Sequence, residues 1–501
     1  ARIASRIASK EDSLWGPEAQ PEASIRLGWI TSAQDSQALL PSIFALRDEF
    51  ASQGINRFVL CGMGGSSLAP EVITKNAKVD LVVLDSTAPD QVAAALIDLD
   101  RTVVVVSSKS GSTVETDSQK RAFETALRAA GINPAERIVI VTDPGSPLDK
   151  ASREAGYRVF NADPNVGGRY SALTAFGLVP SGLAGADITA LLTAAVAVSP
   201  ALGSDSVDNP ALQLGALLAR SKNGAGYRDK FLIESDGLAG FGDWVEQLVA
   251  ESTGKEDKGI LPVVIDSQAP EISALPEDTL LIRFGSEAAG NTDAAFSGSL
   301  GELFLLWEYA TVIAGFLQGI NPFDQPNVES AKVAARALLD SPATGAEVDF
   351  VDRGVSVKSY GFDLNGGTLD SALEQLLGLV DNSSYISVHA YLNRMAYPQL
   401  EELRDLLAKR SGRPVTFGWG PRFLHSTGQY HKGGPRQGVY LQIVSKAKHD
   451  IAVPGRDFTF GELIASQAAG DAKVLGALGR PVLTLTLAEA KAGIAAIKNA
   501  I

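Results

Sequence analysis

Short apolar runs separated by helical spacers constrain the fold of this 501-residue chain more than any other feature. Between Phe58 and Arg169 these runs are "FVLCG", "LVVLD", "VVVVSS", "IVIVTD" and "YRVFN". Continuous apolar strands that alternate with helices are typical of a parallel sheet covered on both faces. The sequence therefore predicts a doubly wound α/β domain in this part of the chain.

The strand pattern starts again after the Ala-rich segment 188–202, with "KFLIES", "LPVVID", "TLLIRFG", "YISVHA", "VTFGWG", "VYLQIV" and "PVLTLTL". A chain of this length exceeds the roughly 250 to 300 residues at which single cores stop growing. We therefore predict an α/β protein of two doubly wound parallel-sheet domains. An N-terminal segment covers residues 1–20, a first domain 21–202, and a second domain with C-terminal helices 203–501. An internal repeat of the two halves stays open.

Composition excludes several classes of function. The formal charge of −14 and the pI near 4.9 disfavour binding to nucleic acid or to anionic membranes, because both need a basic surface. The single cysteine, Cys61, cannot form an intrachain disulfide and suits a reducing compartment, so we expect a cytoplasmic protein. The most apolar stretch, residues 303–320, contains Glu308 and predicts a buried core helix rather than a membrane span.

Two hydroxyl-rich loops follow neighbouring predicted strands. One is "CGMGGSSLAPEV", which contains Ser66, and the other is "SSKSGST", which contains Ser108, Ser110 and Thr113. Both would lie at the carboxyl edge of the sheet, where open α/β sheets bind ligands. The oxygens of a phosphate monoester accept several hydrogen bonds at once. The loops therefore predict a phosphate site, while ordinary turns and helix caps remain the alternative.

A dinucleotide site is a weaker interpretation of the first loop. Gly62, Gly64 and the acidic Asp85 at the end of the next strand imitate the dinucleotide fingerprint, but Ser67 stands where its last glycine belongs. A Walker-type phosphate loop is not indicated, because the sequence lacks G-x-x-x-x-G-K-[ST].

Longer motifs resemble the glucose-6-phosphate isomerase family, most closely the isomerase half of bifunctional transaldolase/glucose-6-phosphate isomerase proteins. The motifs are "GMGGSSL", "SSKSGSTVET", "VGGRYSALTAFGL", "AESTGKEDKGI", "NPFDQPNVESAK" and "LHSTGQY". The resemblance implies two sugar-isomerase (SIS) domains that interconvert glucose 6-phosphate and fructose 6-phosphate without a metal or an organic cofactor. It also raises the expectation of a covalently fused transaldolase domain in the full-length protein, for which this chain has no room.

The resemblance assigns a role to individual residues. Glu251 would be the base that moves a proton between C2 and C1 through a cis-enediolate, and Arg169 would stabilise that intermediate. Lys332 and His425 would open the sugar ring. The substrate phosphate would be bound by Gly65, Ser66, Ser108, Lys109, Ser110 and Thr113.

The chain departs from the family pattern at two points. Asn327 stands where the family's D-Q-x-G-V-E motif usually has glycine, and the histidine motif follows the lysine motif instead of preceding it. We predict that folding nevertheless brings His425 and Lys332 to one cavity with Glu251, and His431 stays the alternative ring-opening residue. The four histidines show no metal-ligand spacing, so no metal site is predicted.

Two other functions stay open at this stage. A sugar-phosphate-binding regulator on the same domains would keep the hydroxyl loops but would need neither Glu251 nor Lys332. An isomerase of an amino sugar or of another sugar phosphate would share nearly all of the chemistry. In each case the expected partner is a small sugar phosphate, with no nucleic acid and no membrane.

Overall fold

The apolar runs of the sequence form buried strands in the computed structural model. The structure describes residues 2–220, 222–223, 226–285, 292–340 and 348–501. The first sheet is parallel throughout and has the strand order β2-β1-β3-β4-β5. Its strands are β1 (Arg57–Cys61), β2 (Val82–Leu84), β3 (Thr102–Ser107), β4 (Ile138–Thr142) and β5 (Arg158–Asn161).

The helices of this part are α1 (Ile3–Ala8), α2 (Gln20–Ala23), α3 (Ser32–Asp35), α4 (Leu40–Ser52), α5 (Leu68–Ala77), α6 (Pro89–Ala95), α7 (Val114–Ala129), α8 (Pro147–Glu154), α9 (Ala175–Leu183) and α10 (Ile188–Leu202). They cover both faces of the sheet. Alternate residues of a strand point to opposite faces, so neighbouring residues of β3 pack against different helices. Val103 and Val105 pack with α4, α5 and α9, whereas Val104 and Val106 pack with α6 and α7. This confirms the doubly wound arrangement.

The second sheet is smaller and also parallel, with the order β11-β10-β8-β9. A short hairpin of β6 (Lys222–Asn223) and β7 (Gly226–Tyr227) precedes it. The strands of the sheet are β8 (Lys230–Glu234), β9 (Leu261–Ile265), β10 (Thr279–Phe284) and β11 (Ala294–Phe296). The helices of this part are α11 (Pro210–Arg220), α12 (Phe241–Thr253), α13 (Pro270–Ser273), α14 (Leu300–Gln318) and α15 (Glu329–Asp340).

The third sheet has the order β12-β13-β17-β16-β14-β15, and only the β12 and β13 edge is antiparallel. Its strands are β12 (Phe350–Asp352), β13 (Val355–Tyr360), β14 (Tyr385–Tyr391), β15 (Val415–Trp419), β16 (Gly438–Ser445) and β17 (Val482–Leu487). Its helices are α16 (Leu369–Leu377), α17 (Glu402–Ser411), α18 (Gly428–Gly433), α19 (Phe460–Ala477) and α20 (Ala490–Ala500).

Short 3₁₀ turns complete the described secondary structure: Asp12–Trp15, Gly28–Ile30, Ser36–Leu39, Gly64–Ser66, Leu99–Arg101, Pro134–Glu136, Gly168–Tyr170, Pro398–Glu401 and Arg422–His425. Three of them belong to segments that the sequence singled out, at residues 64–66, 168–170 and 422–425. A 3₁₀ turn is short and often acts as a connector, so it can carry a side chain to the end of a strand.

All three sheets share one winding order. Counted along the chain within each sheet, the parallel strands lie in the order 2-1-3-4: β2-β1-β3-β4, β9-β8-β10-β11 and β15-β14-β16-β17. The direction of winding therefore reverses between β1 and β3, between β8 and β10, and between β14 and β16. Such switch points are where open α/β sheets bind ligands.

The parallel-sheet α/β class is confirmed, but residues 203–501 form two sheets where the sequence predicted one domain. The second and third sheets pack together, since Leu261 and Val263 share an apolar cluster with Tyr385 and Tyr440. The domain boundaries at residues 20 and 202 stay predictions. The internal repeat of the two halves stays open, although all three sheets share one strand order.

Helix α14 is long and apolar enough to cross a membrane by length and composition alone. It packs inside the protein, and 78% of its most apolar window is buried. A capping box, formed by Ser299 and Glu302, fixes its start, and Gly319 follows its end with a φ of 66°. The predicted buried core helix is confirmed.

Candidate active site

The two hydroxyl loops flank the switch point of the first sheet. The loop with Ser66 follows β1, and the loop with Ser108, Ser110 and Thr113 follows β3. Ser108 is buried, Ser66 and Thr113 are half-buried, and Ser110 is exposed. The predicted meeting of these loops at one edge of the sheet is therefore observed.

The hydroxyls of the second loop form a small hydrogen-bonded group. Ser108 Oγ accepts a hydrogen bond from the backbone N–H of Gly111 at 3.1 Å and lies 3.4 Å from Thr113 Oγ1. Thr113 precedes α7, but its side chain makes no capping hydrogen bond to that helix. The interpretation as a helix cap does not describe Thr113, and the first N–H groups of α7 stay available to an anion.

Lys109 has a different environment from the hydroxyls beside it. Its ammonium lies 3.0 Å from Asp143 Oδ2 and donates to the carbonyl oxygen of Val166 at 2.8 Å. The charge of Lys109 is thus already paired within the protein. Its side chain links the hydroxyl loop to the segment that leads into Arg169.

Close backbone packing joins the first loop to the turn that carries Arg169. A side chain on Gly65 would collide with the carbonyl oxygen of Gly168. Glycine is therefore required at position 65, because no larger residue lets the two backbones touch. Arg169 is held directly above the first hydroxyl loop as a result.

Arg169 and Glu251 form a buried ion pair. Arg169 Nη1 lies 3.1 Å from Glu251 Oε1, and the side chains are 3% and 14% exposed. The guanidinium also donates to Ser252 Oγ and to the carbonyl oxygens of Pro322 and Asp324, at 2.8 to 2.9 Å. These bonds fix the plane of the guanidinium and so the position of the carboxylate beside it.

His425 reaches the same place from the third sheet, on the 3₁₀ turn that follows β15. Gln247 Nε2 donates both to Glu251 Oε2 at 3.1 Å and to the carbonyl oxygen of His425 at 2.8 Å. The turn also lies against Gly64, which has a φ of 55°. Folding therefore brings His425 to Glu251 despite the changed order along the chain.

A charge network fixes the turn that carries His425. Arg422 Nη1 lies 2.6 Å from Glu71 Oε2 and 2.9 Å from Asp85 Oδ2, and both carboxylates belong to the first sheet and its helices. Asp85 is 1% exposed. Asp85, which stands at the acidic position of the dinucleotide fingerprint in the sequence, is therefore part of this ion-pair network.

Glu115 is a site residue that the sequence analysis missed. Its Oε1 lies 2.8 Å from His425 Nε2 and accepts a hydrogen bond from Gln467 at 2.7 Å. Burial alone would raise the pKa of this carboxyl, but the charge and hydrogen bond of His425, with a smaller effect of Lys332, hold the pKa below its usual range. The signal was present in "STVET", where a carboxylate follows the last hydroxyl by two residues.

Lys332 lies at the rim of this arrangement. It stands in the first turn of α15, its side chain is 53% exposed, and its ammonium is 3.6 Å from Glu329. Its charge contributes to the lowered pKa of Glu115. The ion pair that the structure shows for Lys332 is with Glu329 and not with Glu251.

The unusual Asn327 has a structural explanation. Its backbone N–H donates to Gln429 Oε1 at 2.9 Å, and Gln429 Nε2 donates back to Asn327 Oδ1 at 2.8 Å. Gln429 is in α18, directly after the His425 turn. Asn327 thus connects the segment that contains Lys332 to the segment that contains His425.

His431, the alternative to His425, lies elsewhere. It is 1% exposed, and its Nδ1 is 2.9 Å from the hydroxyl of Tyr385. Burial lowers its pKa well below the usual range, so its ring is neutral. Between the two histidines, only His425 contacts the groups around Glu251.

Within the described ranges, no three His, Cys, Asp or Glu side chains come together in a way that could hold a metal ion. The chain is an α/β protein of the sugar-isomerase (SIS) type, with parallel sheets and with hydroxyl loops at the carboxyl edge of the first sheet. Comparison with known proteins gives the particular family.

The family model described as phosphoglucose isomerase matches residues 48–277. The chain is 30% identical over 393 residues to the glucose-6-phosphate isomerase of Citrifermentans bemidjiense, across 65% of this chain and 74% of that protein. It is 29% identical over 393 residues to the glucose-6-phosphate isomerase of Geobacter sp. strain M21, with the same two shares. The chain belongs to the glucose-6-phosphate isomerase family, as the resemblance of its motifs implied.

A solved structure shows the shared fold. The glucose-6-phosphate isomerase of Chlamydia trachomatis superposes with a TM-score of 0.54 at 23% identity, across 69% of this chain and 79% of that one. The region matched by the family model contains Glu251 and Arg169 but neither Lys332 nor His425. The third sheet lies wholly outside that region.

Proposed function

We propose that the protein interconverts glucose 6-phosphate and fructose 6-phosphate. The observation that carries this proposal is the buried Glu251 and Arg169 pair, joined through Gln247 to His425 and facing the hydroxyl loops of the first sheet. One six-carbon phosphate needs an acid or base at the C1 and C2 end and donors at the other end. The family membership supports the same reaction.

Glu251 is the proposed base. Its carboxylate takes the proton from C2 of the open-chain aldose, and the C1 carbonyl oxygen receives the negative charge of the enediolate. The hydroxyl proton on O2 passes to O1, the protonated Glu251 returns its proton to C1, and C2 becomes the carbonyl of the ketose. Electrons move only within the sugar, so no external oxidant or reductant is needed. A positioned base of this kind contributes roughly 10² to 10⁴ in rate.

Arg169 stabilises the charge of the cis-enediolate in this proposal. The guanidinium is fixed by Ser252 and by backbone carbonyls before any substrate arrives. A preorganised cation in a buried site stabilises developing charge more than water does, often by about 10² to 10³ in rate. Its ion pair with Glu251 supports this role, because a cation beside the proposed base would lie close to the oxygen atoms next to the carbon that loses its proton.

His425 and Lys332 open the ring in this proposal. The Glu115 carboxylate accepts from His425 Nε2, which leaves Nδ1 to exchange a proton with the ring oxygen. Lys332, on the exposed rim near Glu115, assists the proton transfer at the O1 hydroxyl. Both groups need to be within hydrogen-bond reach of the sugar, and a modest closure of α15 would bring the lysine there.

The phosphate is held by Ser66, Ser108, Ser110 and Thr113 and by the backbone of their loops, with Gly65 allowing the close packing. Neutral donors of this kind suit a protein whose net charge is −14, because the ligand is attracted locally rather than by the overall field. We propose that the reaction needs neither a metal nor an organic cofactor and takes place in the cytoplasm on free sugar phosphate. A fused transaldolase domain in the full-length protein stays a prediction.

The test is a coupled assay that detects glucose 6-phosphate formed from fructose 6-phosphate in the presence of a chelator. We expect full activity with the chelator. Loss of activity that a divalent metal restores would contradict the metal-free mechanism. If another sugar phosphate were the only substrate turned over, the assignment to glucose 6-phosphate would be wrong while the isomerase chemistry stood.

A further inference from the structure

The third sheet has its own switch point, between β14 and β16. A cavity of about 210 Å³ opens there, lined by residues 391–393 after β14 and by residues 445–449 after β16. Ala88, Pro89 and Asp90 of the first sheet region close one side of it. The cavity therefore lies at the switch point of the third sheet, which is the position that the hydroxyl loops occupy in the first sheet.

The cavity has an apolar floor and a polar rim. Tyr391, Leu392 and Ile464 form the floor, and Asn393 at the rim donates to Asp90 Oδ2 at 3.1 Å. A ligand site in such a fold is mostly apolar with a few polar groups that fix orientation. The volume suits a small molecule.

The rim carries two lysines and one carboxylate, Asp90, which accepts a hydrogen bond from Asn393. Lys446 and Lys448 are exposed at the cavity, and His449 lies beside them. Lys448 is 3.2 Å from Glu489, while Lys446 has no ion-pair partner within the part of the chain that the structure describes. An anionic group at this rim would gain a charged hydrogen bond from Lys446.

We propose that this cavity binds a small organic anion, with its apolar part on Tyr391 and its phosphate or carboxylate group at Lys446 and Lys448. The site shares no residue with the proposed active site. It is nevertheless connected to that site, because the Tyr391 ring lies 5.6 Å from the ring of Phe423, two residues before His425. A ligand held against Tyr391 therefore rests on the segment that positions the histidine.

The test uses the full chain with Ser108→Ala and Thr113→Ala, which removes hydroxyls of the proposed active-site phosphate group. Phenyl phosphate, benzoate and uncharged benzyl alcohol are titrated by calorimetry. We expect saturable binding of phenyl phosphate or benzoate, or of both, and much weaker binding of benzyl alcohol. The first two probes distinguish a phosphate ligand from a carboxylate ligand.

Two changes to the cavity are compared in that same background. Lys446→Gln with Lys448→Gln should weaken anion binding by about tenfold or more, because hydrogen bonds to charged groups contribute more than neutral ones. Ala488→Trp, at an exposed position on the rim, should block binding by filling the cavity. Lys473→Gln, an exposed lysine of α19 outside the cavity, is the matched control and should leave affinity unchanged.

Anion binding that the lysine substitutions and Ala488→Trp leave unaltered would overturn the proposal, and so would failure of every probe to bind below about 10 mM. The side chains changed at the cavity and in the control are exposed, so thermal unfolding should match that of the parent variant with Ser108→Ala and Thr113→Ala. The result does not depend on the proposed isomerase reaction, since the readout is binding in a background where that phosphate site is impaired.

Discussion

The switch points of the first and third sheets have the same strand order but different linings. The first is lined by hydroxyls and faces the buried pair of Arg169 and Glu251. The third has an apolar floor on Tyr391 and lysines at its rim. Strand order therefore determines where a ligand can bind in this molecule, and the side chains after each strand determine which chemistry it meets.

The two sheets also differ in how they contribute to the active site. The first sheet supplies its residues from its own switch point, whereas the third supplies His425 from the turn after its edge strand β15. The switch point of the third sheet is left unused by the proposed reaction. The predictions below test whether the two crevices are as independent as this division indicates.

The largest effect is expected for Glu251→Gln, which keeps the shape of the side chain but removes the base. The kcat should fall by about 10² or more while KM changes little, because proton transfer is lost and binding is not. Glu246→Gln on the same helix is the control. Burial raises the pKa of Glu246 well above its usual range, so an amide resembles its native form and activity should persist. Near-normal turnover of Glu251→Gln would remove this residue from the mechanism.

Glu115→Gln should lower kcat by roughly 10², because His425 loses the carboxylate that orients its ring and stabilises its charged form. Steady-state kinetics on fructose 6-phosphate provide the measurement. Glu124→Gln, farther along α7 and paired with Lys120, is the matched control and should leave kcat unchanged. An unchanged kcat in Glu115→Gln would contradict the proposed role of His425 in the reaction.

The same variant gives a pH test of stability. Because the pKa of Glu115 is lower in the folded protein, its contribution to stability is present above the pKa of an ordinary glutamate and is lost as pH falls toward the folded pKa. The difference in unfolding free energy between wild type and Glu115→Gln should therefore shrink on acidification. Denaturant unfolding at a series of pH values measures it, and a difference that grows on acidification would contradict the assigned pKa shift.

A smaller effect is expected when hydroxyls of the first crevice are removed. Ser108→Ala with Thr113→Ala should raise KM by about tenfold and lower kcat less, since the phosphate is bound equally in the ground and transition states. Thr125→Ala, an exposed hydroxyl on α7, is the control. A large fall in kcat with constant KM would show that these hydroxyls act on the reacting carbons.

The smallest effect is expected for the lysines of the third crevice. Lys446→Gln with Lys448→Gln should leave kcat and KM for the sugar phosphates within about twofold, because exposed side chains far from the reacting groups contribute little. The measurement is the same assay without added anions. A loss as large as that of the hydroxyl variant would mean that the two crevices act together on one substrate.

Much of the first crevice could be predicted from the sequence, because its parts follow strands with an unmistakable apolar pattern. The strand before Ser108 is a run of valines, and the glycines before Ser66 mark a turn. Local pattern alone was sufficient for these elements. The same reasoning predicted β14, β15, β16 and β17 of the third sheet but missed β12 and β13 at its antiparallel edge. It also did not separate the third sheet from the second, since apolar alternation does not specify which strands pair.

The contacts between distant segments could not be predicted. The bonds from Gln247 to Glu251 and to His425 cross the chain, and the reciprocal pair of Asn327 and Gln429 explains a departure that looked unfavourable in the sequence. The phosphate-binding role of Lys109 stays a prediction, and its ion pair with Asp143 was not foreseen. In each case the contacting residue is distant in the sequence, so the local motif does not indicate the contact.

The contact between Gly65 and the Gly168 carbonyl fixes the distance between the first hydroxyl loop and the turn that carries Arg169. The phosphate loop and the arginine turn touch through their backbones, so no side-chain rotation can alter the distance from the anion-binding end to the proton-transfer end. In the proposed reaction, we therefore expect a sugar phosphate one carbon shorter to bind more weakly, because it would have to reach both ends. Discrimination by chain length would then be a property of two glycines, neither of which exchanges a proton with the sugar.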